Sequence, residues 1–495
     1  MVGHPSAWGS VGASKRSRNQ PATAGSKLDS GEVTTGCWNS GGTPRKCSAD
    51  PFARRNNPLH APEPAGCRPL ERRGAPVTAP AGGVLTREDL LERDRTDPLA
   101  SFRDRFQLPE GVIYLDGNSL GPPSVDMRAR IGSLLAAEWG RDLIASWNRH
   151  GWFRLPERVG ARIAPLLGAG EDEVIAADSV SLNLFKLLAA LLRRTGPRRV
   201  VLAEASNFPT DLYIAEGLTR LLGGSGTKLR LVAPEDFEGA LGSDVAVATL
   251  TQVDFRTGRK RDLRRLTAVA KDAGVPVVWD LSHSAGAFPV RLNEDGVEFA
   301  VGCGYKYLNG GPGAPGFLYA ARELQQALDT PLYGWMGHRS PFDFEVGYRP
   351  APGMRRFLTG TPPILSLAAL EEGLRTFEGV DMDALWRKAA ALGDLFLRLA
   401  DERLAGFGFE PASPRDARER GSQVSLRHPE GYPVMQALIA RGVVGDFREP
   451  DLLRFGFAPL YLRYRDVWDA VGALREVLAR EEHQDPRFRR RNAVT

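Results

Sequence analysis

The 495-residue chain is 42% hydrophobic and 25% charged, the make-up of a globular protein long enough for one large domain and a smaller one. Its net charge of +5 would suggest a nucleic-acid partner, but residues 1–85 alone carry +6 and the rest of the chain −1. No nucleic-acid partner is therefore expected. No membrane partner is expected either, since no apolar run approaches the ~20 residues that cross a bilayer.

Residues 1–85 are rich in Gly, Pro, Ser, Ala and Arg and lack an apolar period, so they read as a disordered basic tail. Their early Arg and Ser also allow a transit peptide, although frequent Pro and Gly oppose an amphipathic helix; a start assigned too far upstream is a third reading. Cys37, Cys47 and Cys67 lie in this segment and Cys303 is alone in the body, without C-x-x-C spacing. That usage predicts a reducing, cytoplasmic setting and no metal site.

From Leu85 the texture changes. "LTREDLLERD" predicts a helix capped by Thr86, with Asp89 as the acidic partner three residues on. A short strand over Val112–Leu115 leads into a Gly/Pro-rich turn, and helices are predicted over 125–147 and 181–194. Short apolar runs follow at Val200–Leu202, Leu229–Val232, Val245–Leu250, Val275–Trp279, Phe299–Val301 and Gly316–Tyr319, with helices at 210–222 and 262–273 between some of them. Near-continuous apolar strands alternating with helices argue an α/β fold with a mainly parallel sheet covered on both faces. After Thr361, helices to Leu404, strands at "SQVSLRH" and "LLRFGFA", and helices at 433–441 and 464–481 predict a smaller α/β C-terminal domain. The expected division is an arm over 86–120, a large domain over 121–365, a small domain over 366–482 and a basic tail over 483–495.

Two segments carry chemistry: "VPVVWDLSHSAGAFPV" and "GCGYKYLNGGPGAPGFLY". The first places Asp280 where an apolar strand ends, the position at which open α/β sheets bind ligands. The second places Lys306 between two tyrosines, ahead of a glycine-rich loop that permits close backbone approach. Taken singly, an aspartate at a strand end is more often a cap, and a lysine among glycines is more often solvated surface. Adjacent Ser282, His283 and Ser284 lack a G-x-S-x-G elbow, and the glycine-rich loop lacks the G-K-[ST] ending of a P-loop. Together, Asp280 and Lys306 fit pyridoxal 5'-phosphate (PLP). Its chemistry needs a lysine amine for the Schiff base and for moving the substrate's α-proton, and an acid to keep the pyridine nitrogen protonated.

The segments "YLDGNSLG", "FPTD", "WDLSHSAG", "GYKYLNGGPGAPGFLY", "GWMGH" and "GTPPI" stand here in the order seen in kynureninases, and residues 86–482 resemble that family. The resemblance implies PLP fold type I and hydrolysis of L-kynurenine, with 3-hydroxykynurenine as a second substrate, to the anthranilate and L-alanine of tryptophan catabolism. It also implies a homodimer with shared active sites and a small amino-acid substrate. Position by position, it implies Val180 and Ser181 at the cofactor phosphate and Phe208 stacked on the pyridine ring. Asp211, Thr251 and His283 would lie near the cofactor, and Asp280 would pair with the ring nitrogen. Tyr305 would bind phosphate and move protons, and Lys306 would be the Schiff-base lysine. Trp335 and Thr361 would reach the neighbouring subunit's cofactor, and Arg454 would grip the substrate's α-carboxylate. Animal members carry asparagine where Thr361 stands, and threonine resembles the bacterial form that favours plain kynurenine. The rivals are another fold-type-I enzyme such as a cysteine desulfurase, which would need Cys303 as nucleophile, and a non-catalytic binding module on the same fold.

Overall fold

The computed structural model describes residues 85–492, so the readings of the N-terminal tail, apart from Leu85, lie outside the described residues. The first helix, Arg87–Thr96, begins as its capping signature predicts. Asp89 Oδ2 accepts the Thr86 N–H at 2.8 Å, and Thr86 Oγ1 accepts the Asp89 N–H at 3.3 Å. Arg87 places two guanidinium N–H groups on Asp469 at 2.8 Å each, and Asp94 accepts the Tyr464 N–H at 2.7 Å. The arm is thereby held along helix Tyr464–Ala479.

Seven strands form the main sheet: β1 (Val174–Ala176), β2 (Val200–Glu204), β3 (Lys228–Val232), β4 (Val245–Thr251), β5 (Val277–Asp280), β6 (Phe299–Cys303) and β7 (Gly316–Ala320). Their order is β1-β7-β6-β5-β4-β2-β3, and only β7 runs against the others. Alternate side chains feed two separate cores. Val200, Leu202, Val277 and Trp279 join the core around Leu155, Val159 and Leu266. Val201 and Val278 join the one built on Leu184, Leu187 and Leu188 of helix Val180–Arg194. Burial on both faces explains why these strands read as unbroken apolar runs.

C-terminal to this sheet, β8 (Glu410–Pro411), β9 (Gln423–Arg427), β10 (Asp446–Arg448) and β11 (Leu452–Gly456) form an antiparallel sheet in the order β10-β11-β9-β8. A short strand, Ile113–Tyr114, pairs in parallel with Val443–Val444. Among the described residues no helix is long and apolar enough to cross a membrane.

The structure differs from expectation in three places. The helix predicted over 125–147 is broken into helix Met127–Ser133, a π-turn over Leu134–Trp139, a 3₁₀ turn at Leu143–Ala145 and helix Ser146–Arg149. The cause is Glu138, which is buried and accepts from Arg130 Nη1 and Trp152 Nε1 at 2.7 Å each, so the chain bends to bring those partners in. The edge strand β1 carries too short an apolar run to be seen. Residues 483–492, part of the segment expected as a basic tail, carry contacts that expectation did not name: Phe488 is buried and the Asn492 N–H donates to Tyr432 Oη at 2.8 Å.

Candidate active site

The parallel strands converge on one edge, where β4 ends at Thr251, β5 at Asp280 and β6 at Cys303. Thr251 and Asp280 are side by side in the ladder. Asp280 Oδ1 accepts the Ser282 N–H at 2.7 Å, and this turn carries the chain into His283, which is buried. Lys306 Nζ lies 2.9 Å from His283 Nε2 and 5.9 Å from the centre of the Tyr305 ring. Asp211, in the first turn of helix Pro209–Leu221, is buried against Asp280.

The charges sort themselves by environment. Burial, and after it the charge of Asp280, pushes the Asp211 carboxyl well above the usual carboxylate range, which favours its neutral form. Burial, and then the charges of Lys306 and Arg454, push His283 well below its ordinary value, so its ring is neutral and Nε2 accepts from Lys306. Burial raises the Tyr305 phenol, which keeps its proton.

Phe208 caps helix Pro209–Leu221, and its half-exposed ring meets Phe255 edge to face at 5.2 Å and 87°. Helix Val180–Arg194 starts after Ser179, whose hydroxyl accepts the Leu182 N–H. The N–H groups of Val180 and Ser181 belong to the first turn, which a helix leaves without internal partners. Trp335 and Thr361 stand apart: both are exposed, and among the described residues no hydrogen bond or ring contact joins them to the Lys306 cluster. Their loops are tied to each other by the Met336 N–H, which donates to the Thr359 carbonyl at 3.2 Å.

Arg454 is buried, but its fork is already taken. Nε donates to Asp446 Oδ1 at 2.6 Å and Nη2 to Asp446 Oδ2, while Nη2 also reaches Ser119 Oγ at 3.3 Å. Nη1 donates to the Phe255 carbonyl, leaving one N–H of Nη1 without a partner among the described residues. Asp446, Ser119 and Phe255 were not singled out from the sequence. Ser119 lies inside "YLDGNSLG" and could have been, whereas a carbonyl acceptor such as that of Phe255 leaves no trace in residue type. The same motif shows why it needs Gly121. The Gly121 N–H donates to the Tyr305 carbonyl at 2.8 Å, and a Cβ there would run into the Lys306 carbonyl.

Pyridoxal phosphate fits this donor set. Asp211 Oδ2, Thr251 Oγ1 and His283 Nδ1 are buried polar atoms without hydrogen-bond partners, on residues that adjoin Asp280 or Lys306, as expected where a polar group completes the site. At the helix start, Gly316 holds β7 so close that a Cβ would sit 2.9 Å from the Val180 nitrogen. Gly316→Ala is therefore expected to displace the N–H groups of the first turn and weaken PLP binding about tenfold, roughly one charge-assisted hydrogen bond. Titration of the apoenzyme with PLP measures this, and unaltered affinity would place the phosphate elsewhere. Cys303, the thiol a desulfurase would need, is buried, and burial raises its pKa.

The architecture is shared with solved PLP enzymes. An apo cysteine desulfurase from Thermococcus onnurineus NA1 superposes with a TM-score of 0.65 at 20% identity, covering 77% of this chain and 98% of that one. The cystine C–S lyase C-DES, in complex with its product cysteine persulfide, gives 0.60 at 16% identity over 74% and 98%. The fold is thus that of the fold-type-I PLP enzymes. Residues 385–474 match the family model described as the kynureninase C-terminal domain. Kynureninases of Burkholderia mallei (strain ATCC 23344) and Pseudomonas fluorescens are 53% and 50% identical over 417 residues, 83% of this chain and 100% of each relative. The chain belongs to the kynureninase family, PLP-dependent hydrolases that cleave a carbon–carbon bond.

Proposed function

We propose that the enzyme hydrolyses L-kynurenine to anthranilate and L-alanine in the cytoplasm, with Lys306, Asp280 and Tyr305 as its catalytic residues. The observation that carries the assignment is the Lys306 amine, 2.9 Å from a neutral His283 and bordered by the two buried carboxyls of Asp280 and Asp211. When bound, pyridoxal phosphate supplies an aldehyde for the substrate amine and a ring that accepts electron density from the substrate's α- and β-carbons. Asp280 would pair with the ring nitrogen, and burial of Asp211 beside it disfavours a second negative charge there. Phe208 offers its ring face for stacking, Val180 and Ser181 offer N–H groups to the phosphate, and Thr251 and His283 complete the polar wall. Lys306, freed by the substrate amine, takes the proton from Cα and delivers protons in later steps. Tyr305, which keeps its proton at neutral pH, donates as the bond between Cβ and Cγ breaks after water has added to the γ-carbonyl. Such a general acid contributes about 10²–10⁴-fold. Arg454 receives the α-carboxylate.

A homodimer with shared sites is part of this reading. Trp335 and Thr361 are exposed, and the Trp335 ring meets the exposed Phe342 ring edge to face at 5.7 Å, an apolar pair that a second copy would cover. Thr361 would then face the partner's substrate ring and favour kynurenine over 3-hydroxykynurenine. The division into arm 86–120, large domain 121–365 and small domain 366–482 belongs to the same proposal. The test is to incubate the purified protein and PLP with L-kynurenine and follow anthranilate fluorescence and L-alanine. Equimolar release of both is expected, and bound PLP without either product would overturn the substrate assignment.

A further inference from the structure

The turn after β4 is built for a purpose that the roles above leave unassigned. Asp254 folds it tightly: Oδ1 accepts from Thr257 N–H at 2.6 Å and Thr257 Oγ1 at 2.7 Å, and its carbonyl accepts the Gly258 N–H at 2.8 Å. The C-terminal sheet then grips the turn from outside. Ser425 Oγ donates to the Arg256 carbonyl and Ser413 Oγ to the Thr257 carbonyl, each at 2.5 Å, and the Gly421 N–H donates to the Gly258 carbonyl at 2.8 Å. Phe255, at the centre, faces both ways. Its carbonyl accepts from Arg454 Nη1 and from Gln423 Nε2 at 3.2 Å, and its ring meets the Phe208 ring edge to face.

The geometry points to Phe255 as a positioning residue that couples seating of the substrate's α-carboxylate on Arg454 to the placement of the Phe208 ring. The inference rests on the roles proposed above for Arg454 and Phe208. An anion seated on the free N–H of Nη1 shares that nitrogen with the Phe255 carbonyl, and drawing the nitrogen toward it pulls on the carbonyl's hydrogen bond. The turn is too constrained to absorb that pull, because its neighbouring carbonyls are held by β9 and the segment before it. The displacement is passed through one residue to the ring pair, where edge-to-face contact fixes one ring against the other.

Phe255→Leu keeps the carbonyl and most of the apolar volume but removes the ring edge. In the holoenzyme, L-alanine is expected to alter the circular dichroism of the bound cofactor, whereas ethylamine, which lacks the carboxylate, alters it far less. In Phe255→Leu, L-alanine still binds within about threefold of the wild type, but the dichroic response is lost and kcat falls about tenfold, the worth of one aromatic pair. Phe255→Tyr, which keeps the ring, restores both. A full response and unchanged kcat in Phe255→Leu, or no rescue by Phe255→Tyr in a protein of unchanged Tm, overturns the coupling. Arg454→Lys separates the premise: if it binds L-alanine as tightly as the wild type, the carboxylate role of Arg454 fails. If it binds more weakly while Phe255→Leu behaves as wild type, only the coupling fails.

Discussion

Lys306→Ala is expected to lower anthranilate formation by about 10⁴-fold or more, because one amine holds the cofactor covalently and also moves the substrate's α-proton. The structure offers little to replace it. His283 lies 2.9 Å away and is held neutral by burial, but its pKa is pushed well below its ordinary value, so it is a weak base for the α-proton. Added PLP should still bind the variant through its phosphate and ring contacts, so the loss should fall on kcat. Anthranilate fluorescence under saturating cofactor checks this, and turnover within about 100-fold of wild type would remove Lys306 from the chemistry.

The second large effect separates two carboxyls that look alike in the sequence. Asp280→Asn should cost about 10²–10³ in kcat, since a neutral amide cannot hold the proton on the ring nitrogen that lets the cofactor accept charge. Asp211→Asn should cost no more than about tenfold, because burial already favours the neutral form of Asp211 and the amide differs from it chiefly in hydrogen-bonding pattern. The visible spectrum adds a check independent of turnover, as only Asp280→Asn should shift the absorption of bound cofactor. Equal losses in both variants would mean that the two carboxyls share one proton and one role.

These contrasts show how much of the molecule the residues declare. Six strands of the main sheet were legible because burial on both faces makes them uninterrupted apolar runs, and each begins within two residues of its predicted start. β1 was not, as three residues cannot establish a period. The helix over 125–147 was misread because Glu138, polar by type, is buried by partners a turn and a loop away, and local pattern carries no record of them. At the site, ordered motifs named Lys306, Asp280, His283, Asp211 and Thr251, which lie together at the strand ends. They could not say that Arg454 turns its fork toward Asp446. An ion pair between strands is a tertiary fact, and neither residue type nor spacing announces it.

The short pairing of Ile113–Tyr114 with Val443–Val444 bears on how the protein is made. The partner strand is synthesised about 330 residues later, so as the chain leaves the ribosome the arm must wait, unpaired, through some two-thirds of translation. β1 waits for β7 in the same way, and the seven-stranded sheet cannot close its edge until Ala320 has emerged. Pairings so distant along the chain carry a high loop-closure cost and make for slow folding. The nascent protein therefore spends its assembly with apolar edges open, and its yield in a cell should depend on chaperones more than its final packing would suggest.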